Sequence, residues 1–501
     1  MSKILRSILL FFAAFTQILQ FFTNLEAQDI NLRIKITSDK PQTVEIIGTF
    51  ASDVKRINPR NLSFLNEYAG AVALAERITD VVLADRVGHP IANKRLNAGE
   101  YVSETDISNW IYRVDLKPLP RRVDFAHVSW IDQDIGLLML DDLLPQNYGE
   151  KVTGRLIFDV PAGWKIISTE RTISTNEFGV ADIEKAVFVI TRSMREKEVA
   201  IDGQHLRLLI SGPWRFSDDE AVLMSAEIYK RYAKIFGSAP SQNTQIALFD
   251  SPQNLAIDFW EADTRGNSIT IVSSDMPFET LSRQRLHEQL RHEIFHLWMP
   301  NGVNLSGNYD WFYEGFALYQ SLKLGVAANR IRFDDFLDTL GRAYNDGGGA
   351  PPRGISLIEA SKNRWVGFNM QVYARGMLVA FLCDLAFLEA SKGRRSTDDL
   401  VREIYQKYHG VATREDGNAA VIETFRAHAE LRSIVDRYIT GVDKIEWQDL
   451  LSAAGIEVAT EHSPTSLSIA LKVTAKPSGR QKDLLDKLGY NNWRKLTVNN
   501  R

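Results

Sequence analysis

The chain has 501 residues, 45% of them apolar and 24% charged, with ten tryptophans; this excludes general disorder and is too long for one ordinary core, so two or three domains are expected. A formal net charge of -4 gives no ground for nucleic-acid binding, and the single cysteine, Cys383, excludes an intrachain disulfide framework. Stability must therefore come from buried cores.

In chain order, Lys3 and Arg6 precede an apolar run from Ile8 to Phe22, and Leu25-Glu26-Ala27 places a small residue before Gln28. This reads as a signal peptide over residues 1 to 27, hence an exported protein, periplasmic or extracellular. The alternative is an uncleaved segment that anchors the chain to a membrane. INLRIKIT at 30 to 37 alternates apolar and polar residues without a break, the period of a half-buried strand. VEIIGTF at 44 to 50, VTGRLIFDV at 152 to 160 and AVFVITR at 186 to 192 repeat the pattern. A β-rich, sandwich-like domain over residues 28 to 215 follows. Within it, EYAGAVALAERITDVVLADR at 67 to 86 has no clear strand period and is a candidate helix.

From Ser217 the period lengthens. Ser217 and Glu220 match a capping box, the following apolar residues recur at helical spacing, and Gly237 supplies a stop. TQIALFD at 244 to 250 and SITIVSS at 268 to 274 read as strands, ahead of a long helix that holds RHEIFHLWMP at 291 to 300. Beyond Glu314 the pattern is almost wholly helical, with YARGMLVAFLCDLAFLEASK and IVDRYITG as its clearest pieces. DGGGAPPRG at 346 to 354 interrupts it as a plain loop rather than a lid, without phosphate-binding spacing. From Lys472 to Arg501, eight Lys and Arg stand against Asp483 and Asp486, spread among Gly, Asn and Pro, which reads as a solvated tail.

The chemistry concentrates in RHEIFHLWMP. On a helix, residues four apart are separated by about 40°, so His292 and His296 can hold one ion, while Glu293, rotated by about 100° from His292, suits a carboxylate beside the ion. Leu286, Leu290, Ile294 and Leu297 form an apolar stripe on the same helix, with Phe295 and Trp298 making other faces apolar, so the helix is expected to be buried. Polar groups in such a setting cost free energy unless paired or bound to metal. The plain alternative is two satisfied core histidines; a chance HExxH in a chain this long is on the order of 1%, so a third ligand is needed. Glu314, in DWFYEGFALY, is an isolated carboxylate among aromatic residues, with 17 residues between it and His296. Two imidazoles and one carboxylate suit one catalytic Zn2+ with a fourth position left for water.

HEIFHLW followed by WFYEGFALY resembles the gluzincin metallopeptidases, and most closely the glycyl aminopeptidase family, whose members join an N-terminal β domain to a thermolysin-like catalytic domain. FDVPAGWKIIST at 158 to 169, the KIFG-containing helix, YARGMLVAFLCDLA at 373 to 386 and YITGVDKIEWQDLLSAAGIEV at 438 to 458 are similar to landmarks of that family in order, so the resemblance spans residues 30 to 460. It implies an α+β fold: a β-sandwich-like domain, then a thermolysin-like α/β part at 216 to 325 bearing HExxH, a mainly helical part at 326 to 460, and a tail at 461 to 501 too short for the PDZ domain many relatives carry. It further implies that His292, His296 and Glu314 are the zinc ligands and that Glu293 is the general base. Tyr373, which opens YARG, is similar to the tyrosine of the YxKG element in aminopeptidase N relatives, where the hydroxyl stabilises the oxyanion.

The implied activity is peptide-bond hydrolysis by zinc-activated water, an aminopeptidase acting on peptide or protein substrates. A zinc endopeptidase and a non-catalytic envelope binding protein are the alternatives. Aminopeptidase N relatives have one more residue between the second histidine and the glutamate. The GGLEH-like stretch of the glycyl aminopeptidase family is replaced here by FWEADTRGNSITI at 259 to 271. Glu261 or Asp263 is the candidate for the substrate's α-ammonium group, with plain loop carboxylates as the alternative. Asp384 reads as a salt-bridge residue and Cys383 as a small core residue.

Overall fold

The computed structural model describes residues 29–37, 40–51, 58–118, 125–146, 151–252, 259–351, 354–462 and 467–491. The expected signal peptide lies outside the described residues. The chain divides into two compact units, the first comprising residues up to Glu196, Leu209–Gly212 and Ala247–Ser274, the second Lys197–Leu208, Pro213–Ile246 and residues from Asp275 onward.

The first unit is built on two sheets. Eight strands run in the order Arg171–Ser174, Glu177–Val180, Gly154–Asp159, Ile30–Ile36, Thr43–Phe50, Asn109–Asp115, Ile78–Ala84 and Pro90–Ile91. Ile30–Ile36 pairs parallel with Gly154–Asp159 and antiparallel with Thr43–Phe50. Four strands form the second sheet, in the order Trp130–Asp132, Ile135–Met139, Val187–Thr191 and Lys165–Ile167. The alternation in INLRIKI buries Ile30, Leu32, Ile34 and Ile36, which join Leu138, Phe188 and Ile190 of the second sheet in one core. That shared core is the sandwich expected from the period-two pattern. Gly48 lies opposite Trp110 across the ladder, where any Cβ would collide with the indole, so the glycine gives the tryptophan its place.

Two expectations are corrected here. Residues 67 to 86 contain a two-residue-per-strand hairpin, one 3-10 turn at Leu74–Arg77 and the strand Ile78–Ala84 instead of a helix. Ala69 and Ala73 take positive φ, and Arg77 is buried in an ion pair with Asp142 at 2.8 Å, so tertiary contacts override the helical propensity of the alanines. The boundary expected at 215 is also displaced. Residues 247 to 274 belong to the first unit because Ala247, Phe249 and Val272 pack in a core with Trp130, Leu137 and Val189.

The second unit is largely helical: α1 (Asp218–Phe236), α2 (Glu279–His296), α3 (Asp310–Ala327), α4 (Phe333–Ala343), α5 (Gly376–Ser391), α6 (Thr397–Tyr408) and α7 (Gly479–Leu488) are its main helices. α1 begins at the Ser217–Glu220 capping box and stops at Gly237 in the left-handed conformation. Its Tyr232 and Phe236 pack on Phe295 and Trp298, and the Tyr232 hydroxyl donates to the Arg291 carbonyl at 2.7 Å, fixing α2 against α1. The helix over Gln371–Ser391 is long and apolar enough to cross a membrane, yet 94% of its apolar window is buried inside the unit, as a core helix would be. Within it Cys383 is fully buried, and Asp384 bridges to Lys323 at 3.1 Å and accepts from the Tyr319 hydroxyl at 2.6 Å.

Of the stretch expected as a solvated tail, 472 to 501, the described residues up to 491 are folded. Ile456–His462 and Leu467–Val473 form an antiparallel hairpin, and α7 follows behind a Ser478–Gln481 capping box. Leu471, Leu484, Leu485 and Leu488 are all buried. The Leu spacing in DLLDKL is that of one helix face, so Arg480, Lys482 and Lys487 are on the polar side of an amphipathic helix.

Candidate metal centre

The HExxH stretch occupies the last turns of α2, whose Leu286, Leu290 and Ile294 are buried as their stripe predicts. Pro300 cannot continue the helix, and the chain turns so that the Met299 carbonyl accepts from His296 Nδ1 at 2.8 Å. A carbonyl has no proton to give, so the imidazole proton sits on Nδ1 and the Nε2 lone pair faces inward.

α3 supplies the third group. The Nε2 atoms of His292 and His296 are 3.1 Å apart, and Glu314 Oε2 lies 3.3 Å and 3.4 Å from them. All three residues are buried, and among the described residues no other group of histidine, cysteine and carboxylate side chains is placed to hold an ion. Among those residues Oε2 of Glu314 has no well-formed hydrogen bond, an acceptor facing two further acceptors. Such an arrangement is costly unless a cation shares the lone pairs. Two nitrogens and one carboxylate oxygen fit zinc. The carboxylates draw positive charge to this spot: burial disfavours a charged His296, but the Glu314 carboxylate and, next, Glu293 push it up to about 9, so a proton and a metal ion compete for Nε2. Glu314 itself is disfavoured by burial, but Arg364 and His296 hold its carboxyl well below the usual range.

Glu293 is buried one position after His292 and so stands beside the ligand face. Tyr373 comes from the wide helical turn Gln371–Arg375 that leads into α5, and its ring lies near-parallel to that of His292, with centroids 6.4 Å apart. Burial and then the Glu314 charge push its hydroxyl well above the ordinary tyrosine value, which keeps the proton available for donation. Two glycines make this approach possible. A Cβ on Gly315 would collide with the Gly376 carbonyl carbon, and a Cβ on Gly376 would fall 2.5 Å from the Trp311 carbonyl oxygen. The EG of YEGF and the RG of YARG therefore let α3 and α5 touch backbone to backbone, which sets Glu314 next to Tyr373. Arg375 serves the fold instead, buried and donating to the Asp443 carbonyl at 2.7 Å, with burial pulling it down to about 10.

Two residues of this centre were not foreseen. Arg364 Nη1 lies 2.8 Å from Asp310 Oδ1 and 3.0 Å from Glu314 Oε1, and its Nη2 donates to the Tyr373 hydroxyl. Asp310 had a signal in the sequence, since it precedes Glu314 by four positions in DWFYE and so shares its helix face. Arg364, in the irregular stretch before Tyr373, had none.

Glu261 and Asp263 lie in the first unit, on the strand Trp260–Arg265 paired with Ser268–Ser273. Asp263 is committed within that unit: Arg265 Nε donates to it at 2.8 Å and His127 Nδ1 lies 3.4 Å away. Burial works against its charge, yet Arg265 and His127 hold the carboxyl well below the usual range. Glu261 is half-buried and accepts from the Ala126 amide at 3.3 Å.

No known protein family and no curated protein sequence matches the chain. Solved structures do. An aminopeptidase N family protein from Idiomarina loihiensis is similar with a TM-score of 0.71 at 16% identity, over 90% of this chain and 82% of that one. An M1 zinc metallopeptidase from Deinococcus radiodurans is similar with a TM-score of 0.52 at 17% identity, over 82% and 94%. A mutant of the latter bound to a Tyr-Ser-Ala substrate gives 0.56 at 16% identity, over 82% and 94%. The fold is thus that of the M1 zinc metallopeptidases, a β-rich N-terminal part followed by a helical C-terminal part. Within that class, the aminopeptidase N family protein is similar over nine-tenths of this chain.

Proposed function

We propose that the protein is an exported zinc metallopeptidase that removes residues from the N-terminus of peptides. The observation that carries this reading is the convergence of His292 Nε2, His296 Nε2 and Glu314 Oε2, with a buried carboxylate, Glu293, next to one ligand on the same helix. When bound, zinc would supply a Lewis acid and make a water acidic enough to lose a proton near neutral pH. Glu293 takes that proton on its carboxylate and returns it to the departing amine nitrogen. Tyr373 donates its hydroxyl proton in a hydrogen bond to the carbonyl oxygen as negative charge develops there. A site kept for binding alone has no use for a base at position 293, which argues against the envelope binding protein. Export rests on the N-terminal segment, and its cleavage after Ala27 is part of the proposal. The thermolysin-like character of residues 216 to 325 belongs to the same reading.

Aminopeptidase action is favoured over endopeptidase action by the similar mutant enzyme described with a tripeptide substrate. The test compares wild type with Glu293→Gln on peptides with free and acetylated N-termini, with zinc content measured throughout. Glu293→Gln should keep zinc and lose about 10²- to 10⁴-fold in kcat. Equal cleavage of acetylated peptides rejects the aminopeptidase, and zinc-free active protein rejects the mechanism.

A further inference from the structure

We propose that Arg364 is a positioning residue of the metal centre, holding Oε1 of Glu314 so that Oε2 faces the imidazoles and turning the Tyr373 hydroxyl away from its own guanidinium. The inference rests on the zinc-peptidase reading of this site. The guanidinium is nearly buried, with its side chain 11% exposed, and its donors are committed in three directions. Nη1 is shared between Asp310 and Glu314 Oε1, Nη2 donates to the Tyr373 oxygen, and Nε donates to Asn369 Oδ1 at 3.2 Å. Its plane is packed 4.5 Å from the Trp365 ring centroid and 5.0 Å from that of Tyr373.

Two consequences follow from this geometry. Because Oε1 of Glu314 is engaged by a charge-assisted bond, Oε2 alone is turned to the two imidazoles. A carboxylate with both oxygens free could take up an ion through either or both; here the bond to Oε1 favours Oε2. Second, the Tyr373 oxygen receives a hydrogen bond from Arg364, which forces its own O–H to point away from the guanidinium. Lysine could not substitute, since an ammonium is a point donor and these acceptors are spaced for a planar fork. Asp310 anchors the fork from the helix that also carries Glu314, so carboxylate, guanidinium and hydroxyl are joined in one hydrogen-bonded cluster.

The test uses the full-length protein with Arg364→Lys, Tyr373→Phe and the double variant, following zinc affinity by chelator competition, the visible spectrum of the cobalt(II)-substituted protein, kcat and KM. Arg364→Lys should weaken zinc binding about 10- to 100-fold, shift the cobalt bands, and at saturating zinc lower kcat by a similar factor with KM changed less than about threefold. In the double variant kcat should fall no further than in Tyr373→Phe, because both changes act through one hydroxyl, while the loss of zinc affinity should persist in that background. Unchanged cobalt spectrum and zinc affinity, or kcat losses that multiply, overturn the proposal. Should Arg364→Lys fail to fold, Asp310→Asn carries the test with the same pattern at smaller size. Wild type that binds no zinc overturns the reading of the site and this inference together; wild type that binds zinc and cleaves, with indifferent Arg364 and Asp310 variants, overturns this inference alone.

Discussion

His287 sits on the HExxH helix, five positions before His292, and neither ring nitrogen has a hydrogen-bond partner among the described residues. Burial, then the nearby Arg291, pulls it down to about 3 from an ordinary 6.5. The folded state therefore keeps the neutral ring while the unfolded chain takes up the proton, so stability falls as pH drops below about 6.5 and the loss levels off near the folded value. At pH 5 this single group should cost on the order of 2 kcal/mol. Thermal melts of wild type and His287→Leu at pH 7 and pH 5 check it: the variant should lose less on acidification, and parallel losses would remove His287 as the cause. The three residues of the candidate metal centre behave differently at this scale. His296→Ala or Glu314→Ala leaves two donors, and dialysis against a zinc buffer should return protein with zinc content near zero.

At the scale of elements, the sequence was most readable where periodicity and burial agree. INLRIKI and VEIIGTF alternate and became strands, while VFVIT, apolar in succession, is a strand buried throughout; the capping box at Ser217 and the stop at Gly237 bound a helix. It misled where the decisive contact was remote. ITDVVLA at 78 to 84 is a strand because it finds Asn109–Asp115 as a partner, which local composition cannot report. The junction of α3 with the turn before α5 had a signal in YEGF and YARG, but its meaning appears only when the two glycines meet. Gly315→Ala should cost about 1 to 3 kcal/mol through overpacking and, by separating Glu314 from Tyr373, lower kcat even under conditions where the protein remains folded. Denaturant melts with parallel kinetics separate these two effects; a variant with unchanged melt and unchanged kcat removes the glycine contact from the explanation.

At the scale of the whole molecule, the stretch from Lys472 reads by its charge as a solvated tail, because basic residues are visible in a sequence and the surface that covers Leu484, Leu485 and Leu488 is not. Leu485→Ala should therefore destabilise the protein by about 2 to 5 kcal/mol, as a core position does; a solvated tail would show no change. Metal removal acts at the same scale. Chelation should abolish peptidase activity, zinc should restore it, and zinc should raise the melting temperature by an amount that grows with the logarithm of its concentration over Kd, since it binds the folded state alone. Wild type whose melt is indifferent to zinc would not have the site described.

The grouping of His292, His296 and Glu314 was legible in the sequence because helical spacing is a local property: four residues bring His292 over His296, and an isolated carboxylate among aromatic residues marks Glu314. The place of Glu293 beside them was legible for the same reason, as a neighbour fixed by covalent geometry. What tertiary structure alone decided is how those groups are held: the Met299 carbonyl that sets the His296 tautomer, the Gly315–Gly376 contact that brings Tyr373 near, and Arg364, reaching Asp310 and Glu314 across about fifty residues of chain. It also committed Asp263 to Arg265 and His127. Spacing along one helix constrains direction, but a contact between distant segments depends on the whole packing solution, and no local pattern encodes it.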